Sequence, residues 1–186
     1  MTKNLDKEGL SSIVDNYQLF YVDLWGVVHN GILLHKEAIK ALTEITKKGK
    51  EYILLTNAPR PNNVVKNFLR KMGMEEDIIQ HVFTSGEASL SYLKKNLMNK
   101  KFFHVVPARD IDLFKDFEEM KSNQIENAEY IICTGLFEER EEDLKYYKEL
   151  FEKNLKKKMI CTNPDLIVDR GNKRELCAGS IAIIFE

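Results

Sequence analysis

The chain has little of several residue types that mark particular classes of protein. Its three cysteines, Cys133, Cys161 and Cys177, are an odd number without Cys-x-x-Cys spacing, which argues against a disulfide framework or a zinc site. No apolar run approaches ~20 residues, so no transmembrane helix is expected. The formal net charge is only −1, which gives no indication of a general nucleic-acid or membrane surface. The polar start, Met1 to Asp6, predicts no signal peptide, and we expect a cytoplasmic protein.

What remains is the composition of an ordinary globular protein. Hydrophobic residues make up 44% of the 186 residues and charged residues 31%, as in a typical folded domain. A chain of this length can bury a real core and can form one domain or a domain with a small appendage.

The most informative feature is an acidic residue at the end of an apolar run. Leu19 to Val22 is rich in aromatic and β-branched residues and predicts a buried strand, and Asp23 follows it just before the turn at Gly26. In open α/β sheets, ligands bind at this end of the strands. The alternative is an aspartate that only satisfies backbone groups of the turn.

A second segment is built in the same way. Tyr52 to Leu55 predicts another strand, which ends in Thr56 and Asn57, and an amphipathic helix over 36–48 connects the two strands. A strand, a crossover helix and a strand form a βαβ unit with parallel neighbouring strands about 5 Å apart. The turn N–H groups favour an anion such as phosphate. A carboxylate suits that place if a divalent cation lies between them or if the carboxylate is the attacking nucleophile.

The rest of the chain continues the alternation of helices and strands. Further helices are expected over residues 5–16, 62–71, 85–97, 110–121, 138–153 and 177–184, and further strands over 81–83, 102–106, 130–133 and 158–161. The sequence therefore predicts an α/β protein with a second α/β unit that begins near residues 84–88.

These motifs, in this order, resemble the haloacid-dehalogenase-like hydrolases. Asp-x-x-Gly-Val begins at Asp23 and Leu-Leu-Thr-Asn ends at Asn57, each after an apolar strand. Thr84 to Ala88 is similar to the start of the cap domain, and 160–165 with 176–181 to its end. The resemblance is closest to the subfamily typified by the N-acetylglucosamine-phosphate-type (NagD-like) and 4-nitrophenyl-phosphate-type phosphatases.

The resemblance implies a domain plan. Residues 1–86 would form the N-terminal part of an incomplete Rossmann-like core with a parallel sheet. Residues 87–182 would form an α/β cap domain, and residues 183–186 would begin the rest of the core.

The resemblance also implies a mechanism. Asp23 would attack phosphorus to form an aspartyl-phosphate, and Mg²⁺ would be bound by Asp23 and by the backbone carbonyl of Trp25. Thr56 would hydrogen-bond the transferring phosphoryl group together with the Asn57 backbone. The loop over 25–34 would be a mobile flap beside the site.

The resemblance to the cap domain implies a role for two further residues. Asn163 and Asp165 would lie near the leaving group of the substrate, which we expect to be a small phosphorylated metabolite.

The chain departs from the family in two respects. Trp25 stands where the phosphatases carry a general-acid aspartate, and indole cannot donate a proton usefully. His29 is the nearest other donor, although a single loop histidine is more often an ordinary surface residue. The family's later Lys and Gly-Asp-x-x-x-x-Asp segment, which would bind magnesium, has no counterpart up to Glu186.

Three functional hypotheses follow. The first is the front part of a truncated or split phosphohydrolase, with an exposed sheet edge and little activity alone. The second is a weakly active, magnesium-dependent phosphohydrolase assisted by a partner, either a separate C-terminal fragment or another copy of the chain. The third is a non-catalytic module that binds a small ligand or a protein. No nucleic acid or membrane partner is expected.

Overall fold

The computed structural model describes residues 5–170 and 172–186, and these form two compact units. One unit contains the residues up to Thr56 together with Lys66–Phe83, and the other contains Asn57–Val65 and Thr84–Glu186. The predicted α/β class with parallel sheets is confirmed. The predicted domain boundaries at 86/87 and 182/183 stay a prediction.

The first unit is built on a three-stranded sheet in the order β1-β2-β3. Its strands are β1 Leu19–Asp23, β2 Glu51–Thr56 and β3 Val82–Thr84. The predicted βαβ connection is confirmed, because β1 and β2 are parallel and helix α2, Lys36–Lys47, lies between them in the chain. Gly49 has φ 69°, a left-handed conformation that suits glycine after the end of α2.

Burial alternates along these strands because successive side chains point to opposite faces. Tyr52 and Leu54 are fully buried on β2. On β1, Tyr21 is 67% exposed, and on β3 Phe83 is 45% exposed. The described sheet thus has an uncovered apolar surface.

The other helices of this unit, α1 Leu5–Glu8 and α4 Glu76–Ile79, are short, and helix α3, Asn62–Lys71, has its first four residues in the second unit. The single helix predicted over 5–16 is wrong. Gly9 at φ 71° ends α1, and two 3₁₀ turns follow at Leu10–Ser12 and Val14–Asn16.

The second unit contains a four-stranded parallel sheet in the order β5-β4-β6-β7. These strands are β4 Phe102–Val105, β5 Lys121–Ser122, β6 Tyr130–Cys133 and β7 Lys158–Cys161. The central strand β6 is buried at all four positions, as expected of a parallel strand covered on both faces.

Helices cover both faces of this sheet. They are α5 Ser85–Asn96, α6 Leu144–Glu152 and α7 Ala178–Phe185. One face packs Ile131 and Cys133 against Tyr147, Phe151 and other buried residues of α6 and α7. The other face packs Tyr130 and Ile132 against Leu93 of α5 and other buried residues.

Two predicted helices of this unit differ in the structure. The segment Ala108–Met120 is a 3₁₀ helix with non-helical backbone angles at Phe114 and Phe117, whose buried rings lie three residues apart on the core side. The helix predicted over 138–153 begins only at Leu144, because the Asp143 side chain caps it by accepting a hydrogen bond from Tyr146 N.

One hairpin was missed altogether. Strands β8 Ile167–Arg170 and β9 Lys173–Leu176 pair in antiparallel fashion. Their sequence is exposed and charged, so it lacks the alternation of apolar and polar residues that normally indicates a strand. The Arg174–Asp169 ion pair, at 2.8 Å, joins the two strands across the hairpin.

Candidate active site

Asp23 is the last residue of β1, and its carboxylate lies at the carboxyl end of the parallel sheet. Its Oδ1 accepts a hydrogen bond of 2.8 Å from the backbone N–H of Leu24. The side chain is exposed. An exposed carboxylate at a strand end, supported by a backbone donor, can reach a ligand in solution.

Thr56 ends the neighbouring strand β2. The ladder register pairs Asp23 with Leu55, so Thr56 lies one residue further along. Strict alternation would assign Asp23 and Thr56 to opposite faces, but both residues end their strands, where the alternation no longer fixes the direction of a side chain. The predicted convergence of their side chains therefore stays a prediction.

The loop after β1 folds back on itself. Gly26 N donates to His29 O at 2.7 Å, and His35 N donates to Val28 O at 2.8 Å. The Trp25 ring packs edge-on against the His29 ring, with centroids 5.2 Å apart. The Trp25 side chain thus supports the loop, and the predicted role of its backbone carbonyl in metal binding stays a prediction.

His29 is a poor replacement for the absent general acid. It is buried, with Nδ1 accepting a hydrogen bond of 3.0 Å from Gly31 N, which requires the unprotonated form of that nitrogen. Burial, helped by the nearby His35, lowers the pKa of His29 to about 4. The imidazole is therefore neutral near pH 7 and held within the loop, which argues against a role as proton donor.

The segment after Thr56 belongs to the second unit and brings three predicted residues together. The Asn57 side-chain amide donates to Asp165 Oδ1 at 2.9 Å, and Asp165 N donates to Asn163 Oδ1 at 3.0 Å. The Asn57 side chain is thus engaged, and the predicted phosphate contact of its backbone N–H stays a prediction. The predicted contact of Asn163 and Asp165 with a leaving group stays a prediction.

Sequence reasoning missed a buried ion pair in the same unit. Arg60 Nε lies 2.7 Å from Asp110 Oδ1, and the Asp110 side chain is only 3% exposed. Arg109 Nε lies 3.7 Å from the other oxygen of this carboxylate. Asp110 occurs in a charged segment that reads as a solvated helix face, so the sequence gives no signal of its burial. The Pro59-Arg60-Pro61 sequence is the one available hint that this loop is rigid.

Asp23 offers the kind of ligand that magnesium prefers, but the number of such ligands beside it is small. Mg²⁺ prefers oxygen ligands and is often held by one or two carboxylates together with substrate phosphate and water. Asp23 offers one carboxylate. Across the described residues, no group of three or more His, Cys, Asp or Glu side chains is arranged to hold a metal ion.

The described residues were also compared with the features of membrane-spanning and disulfide-bonded proteins. In residues 5–170 and 172–186, no helix is both long and apolar enough to span a membrane. All three cysteines are free thiols.

Comparison with known proteins identifies the family. The family model of the haloacid dehalogenase-like hydrolases matches residues 20–118, more than half of the chain. A comparison with curated proteins returned no match.

Three solved structures share the fold. A haloacid dehalogenase-like hydrolase from Brucella suis 1330 is 30% identical, with TM-score 0.83, and the match covers 100% of this chain and 69% of that one. A 4-nitrophenylphosphatase from Thermotoga maritima is 24% identical, with TM-score 0.67 and coverage of 92% and 65%. A glycerol phosphate phosphatase from Mycobacterium tuberculosis, solved in complex with magnesium, is 18% identical, with TM-score 0.64 and coverage of 93% and 52%.

The chain thus spans between about half and about two thirds of the length of these structures. The family model spans the positions of Asp23 and Thr56, and the match to the Brucella relative covers the whole chain at 30% identity. The chain belongs to the haloacid dehalogenase-like hydrolases.

Proposed function

We propose that the chain carries the nucleophile and the phosphate-binding loop of a phosphate monoester hydrolase. The observation that carries this proposal is the parallel pairing of β1 and β2, which end in Asp23 and Thr56, in a member of this hydrolase family. The phosphatase names of two of the solved structures support phosphate esters as the substrate class.

In the proposed reaction, an Asp23 carboxylate oxygen attacks phosphorus while the bond from phosphorus to the leaving oxygen breaks. Water then hydrolyses the aspartyl-phosphate, which releases inorganic phosphate and restores the carboxylate. The Thr56 hydroxyl and the Asn57 N–H donate hydrogen bonds to the phosphoryl oxygens. Mg²⁺, when bound by Asp23 and the Trp25 carbonyl, would offset the negative charge of the phosphate and the carboxylate.

The tryptophan at position 25 sets a preference among leaving groups. General acid catalysis contributes about 10²–10⁴-fold in rate, and neither Trp25 nor the neutral His29 supplies it. Esters of acidic alcohols, such as 4-nitrophenyl phosphate, need no protonation of the leaving oxygen. The enzyme should therefore favour them over alkyl phosphates.

We further propose that turnover depends on an additional polypeptide segment. The sequence has no Gly-Asp motif to complete the cation site. Apolar side chains of the first sheet, Tyr21 above all, are exposed. The longer solved structures support a segment that covers this surface and supplies the missing charges, whether from a separate fragment or from another copy of the chain.

Hydrolysis of 4-nitrophenyl phosphate tests the proposal. The protein is assayed with Mg²⁺, alone and with the C-terminal third of the Brucella relative supplied in trans. We expect turnover that falls by at least about a thousandfold in Asp23→Asn and about a hundredfold in Thr56→Val. Turnover of 4-nitrophenyl phosphate that is equal in the wild type and in Asp23→Asn would contradict the proposal.

A second candidate is a non-catalytic binding module acting on small ligands or proteins. It is favoured by the finding that the described residues contain no metal-binding cluster. A phosphate ester that raises the melting temperature without being hydrolysed, even with the segment added, would support it. For either function we propose a cytoplasmic location, which three free thiols support.

A further inference from the structure

The loop after β1 is joined to the Asp23 carboxylate through Leu24. The N–H of Leu24 donates to Asp23 Oδ1 at 2.8 Å. The carbonyl of Leu24 accepts hydrogen bonds from Val28 N at 2.9 Å and from His29 N at 3.1 Å. Leu24 and Val28 are also buried. Leu24 is therefore held on both sides of its Cα, and the loop sets the direction in which its N–H meets the carboxylate.

His29 is the residue around which this loop closes. Its N–H donates to the Leu24 carbonyl, and its own carbonyl accepts a hydrogen bond of 2.7 Å from Gly26 N. Its side-chain Nδ1 accepts another of 3.0 Å from Gly31 N. The backbone of His29 thus holds the start of the loop, and its side chain holds the later part.

The imidazole ring of His29 is packed as well as hydrogen-bonded. It lies edge-on to the ring of Trp25, with centroids 5.2 Å apart, and to the ring of Phe68 on α3, with centroids 5.7 Å apart. His29 is only 3% exposed, and all of these residues belong to the first unit. The position calls for both a flat ring and a hydrogen-bond acceptor, which histidine combines.

We propose that His29 is a positioning residue of the phosphoryl transfer: it fixes Leu24, and through the Leu24 N–H it orients the Asp23 carboxylate that attacks phosphorus. Misplacing a reacting group by about 1 Å can cost about a hundredfold in rate. His29 acts through Leu24 and transfers no proton. The loop over 25–34 then serves as a rigid support rather than as the mobile flap that the family resemblance implies. The inference rests on the proposed function, since it concerns the same carboxylate.

Turnover of 4-nitrophenyl phosphate, with Mg²⁺ and the supplied C-terminal segment, tests the inference. His29→Phe keeps a ring and loses the acceptor, and we expect kcat to fall at least about tenfold while KM changes less than about threefold. His29→Asn places an acceptor oxygen near the position of Nδ1 and should keep kcat at least about threefold above that of His29→Phe. His104→Leu, which replaces a buried histidine of the other unit, is the control and should leave kcat unchanged. Circular dichroism confirms that each variant is folded.

A second ester separates positioning from proton donation. Phenyl phosphate has a more basic leaving group than 4-nitrophenyl phosphate, so it gains more from a general acid. A positioning residue should affect both esters equally, and we expect the same loss of kcat for both in His29→Phe. A loss confined to phenyl phosphate would identify His29 as the proton donor, and an unchanged kcat would show that Asp23 needs no such support. Either result overturns the inference.

The fluorescence of Trp25 reports on the loop without turnover, because Trp25 is the only tryptophan of the chain. We expect acrylamide to quench it at least about twofold more strongly in His29→Phe than in the wild type or in His104→Leu. Equal quenching in all three proteins overturns the inference. A wild type that hydrolyses neither ester overturns the proposed function and the catalytic role of His29 with it, while the quenching still decides whether His29 holds the loop.

Discussion

At the scale of single residues, the loop after β1 depends on a glycine that faces a tryptophan. Gly31 has φ 84°, and a Cβ built there would lie 2.6 Å from Trp25 Cη2. Gly26 in the same loop has φ 79° but has nothing within 4 Å of its Cβ position. The two glycines therefore share a left-handed backbone conformation that glycine adopts readily and other residues adopt only with strain, and they differ in the space around them.

We predict that Gly31→Ala destabilises the protein by about 2–4 kcal/mol, because it adds a clash to the backbone strain. Gly26→Ala, the matched control, should cost only about 1 kcal/mol. Urea unfolding of both variants measures the difference. Equal losses would show that the Trp25 ring moves aside without cost.

Two buried histidines give the chain a dependence on pH. Burial lowers the pKa of His104 to about 3 and that of His29 to about 4. His104 Nε2 lies 3.0 Å from Thr134 Oγ1, and among the described residues its buried Nδ1 has no hydrogen-bond partner. Both imidazoles stay neutral in the folded state while an unfolded chain would bind protons near pH 6.5.

Their contribution to stability is therefore complete above pH 6.5 and is lost as the pH falls towards 4 and 3. Each histidine should remove on the order of 2 kcal/mol of unfolding free energy between pH 7.5 and pH 5. His104→Leu should flatten this slope in urea titrations. A slope unaffected by His104→Leu would contradict the prediction.

Only part of the candidate site could be predicted residue by residue. Asp23 and Thr56 are visible because each ends an apolar run, and that signal is local. The Asn57–Asp165 contact joins residues 108 apart in the chain, and the Arg60–Asp110 pair joins residues 50 apart. No periodicity of hydrophobic residues reports such contacts.

At the scale of elements, sequence patterns located the strands better than the charged helices. Apolar runs such as Tyr130–Cys133 gave six of the seven strands of the first two sheets, and the two-residue strand β5, Lys121–Ser122, was not predicted. The segment Ala108–Met120 has apolar residues at mixed spacings, and core packing of Phe114 and Phe117 selects a 3₁₀ geometry there. The β8–β9 hairpin was not predicted, because charged and exposed strands lack the apolar residues by which a buried strand is recognised in a sequence.

The first sheet presents exposed aromatic residues on β1 and β3. Leu19, Tyr21 and Phe83 are 38%, 67% and 45% exposed, and β1 is an edge strand of the described sheet. Uncovered apolar strands associate with other chains.

We predict that the purified chain self-associates and that the double variant Tyr21→Ser with Phe83→Ser raises the dissociation constant at least about tenfold. Tyr92→Ser on α5 removes a tyrosine of similar exposure, 51%, outside the sheet and serves as the control. Sedimentation velocity over a range of concentrations measures the effect. A monomeric wild type, or equal effects of both changes, would contradict the prediction.

At the scale of the whole molecule, the chain has the fold of its family, and the solved structures of that family that it matches are longer than this chain. The match to the Brucella hydrolase includes all of this chain and leaves 31% of that protein unmatched. The fold class and the family followed from motif order in the sequence. The predicted domain boundaries stay a prediction, and no change in composition accompanies the passage from Thr56 to Asn57, where the structure divides its two units.

Covalent phosphorylation of Asp23 is the central claim of this account. The direct measurement is peptide mass spectrometry of the protein after acid quenching during turnover of 4-nitrophenyl phosphate with Mg²⁺ and the supplied C-terminal segment. We predict a phosphoryl group on the peptide that contains Asp23, and none in the Asp23→Asn variant. Hydrolysis that proceeds while this peptide stays unmodified, with a phosphoryl group on another residue, would contradict it.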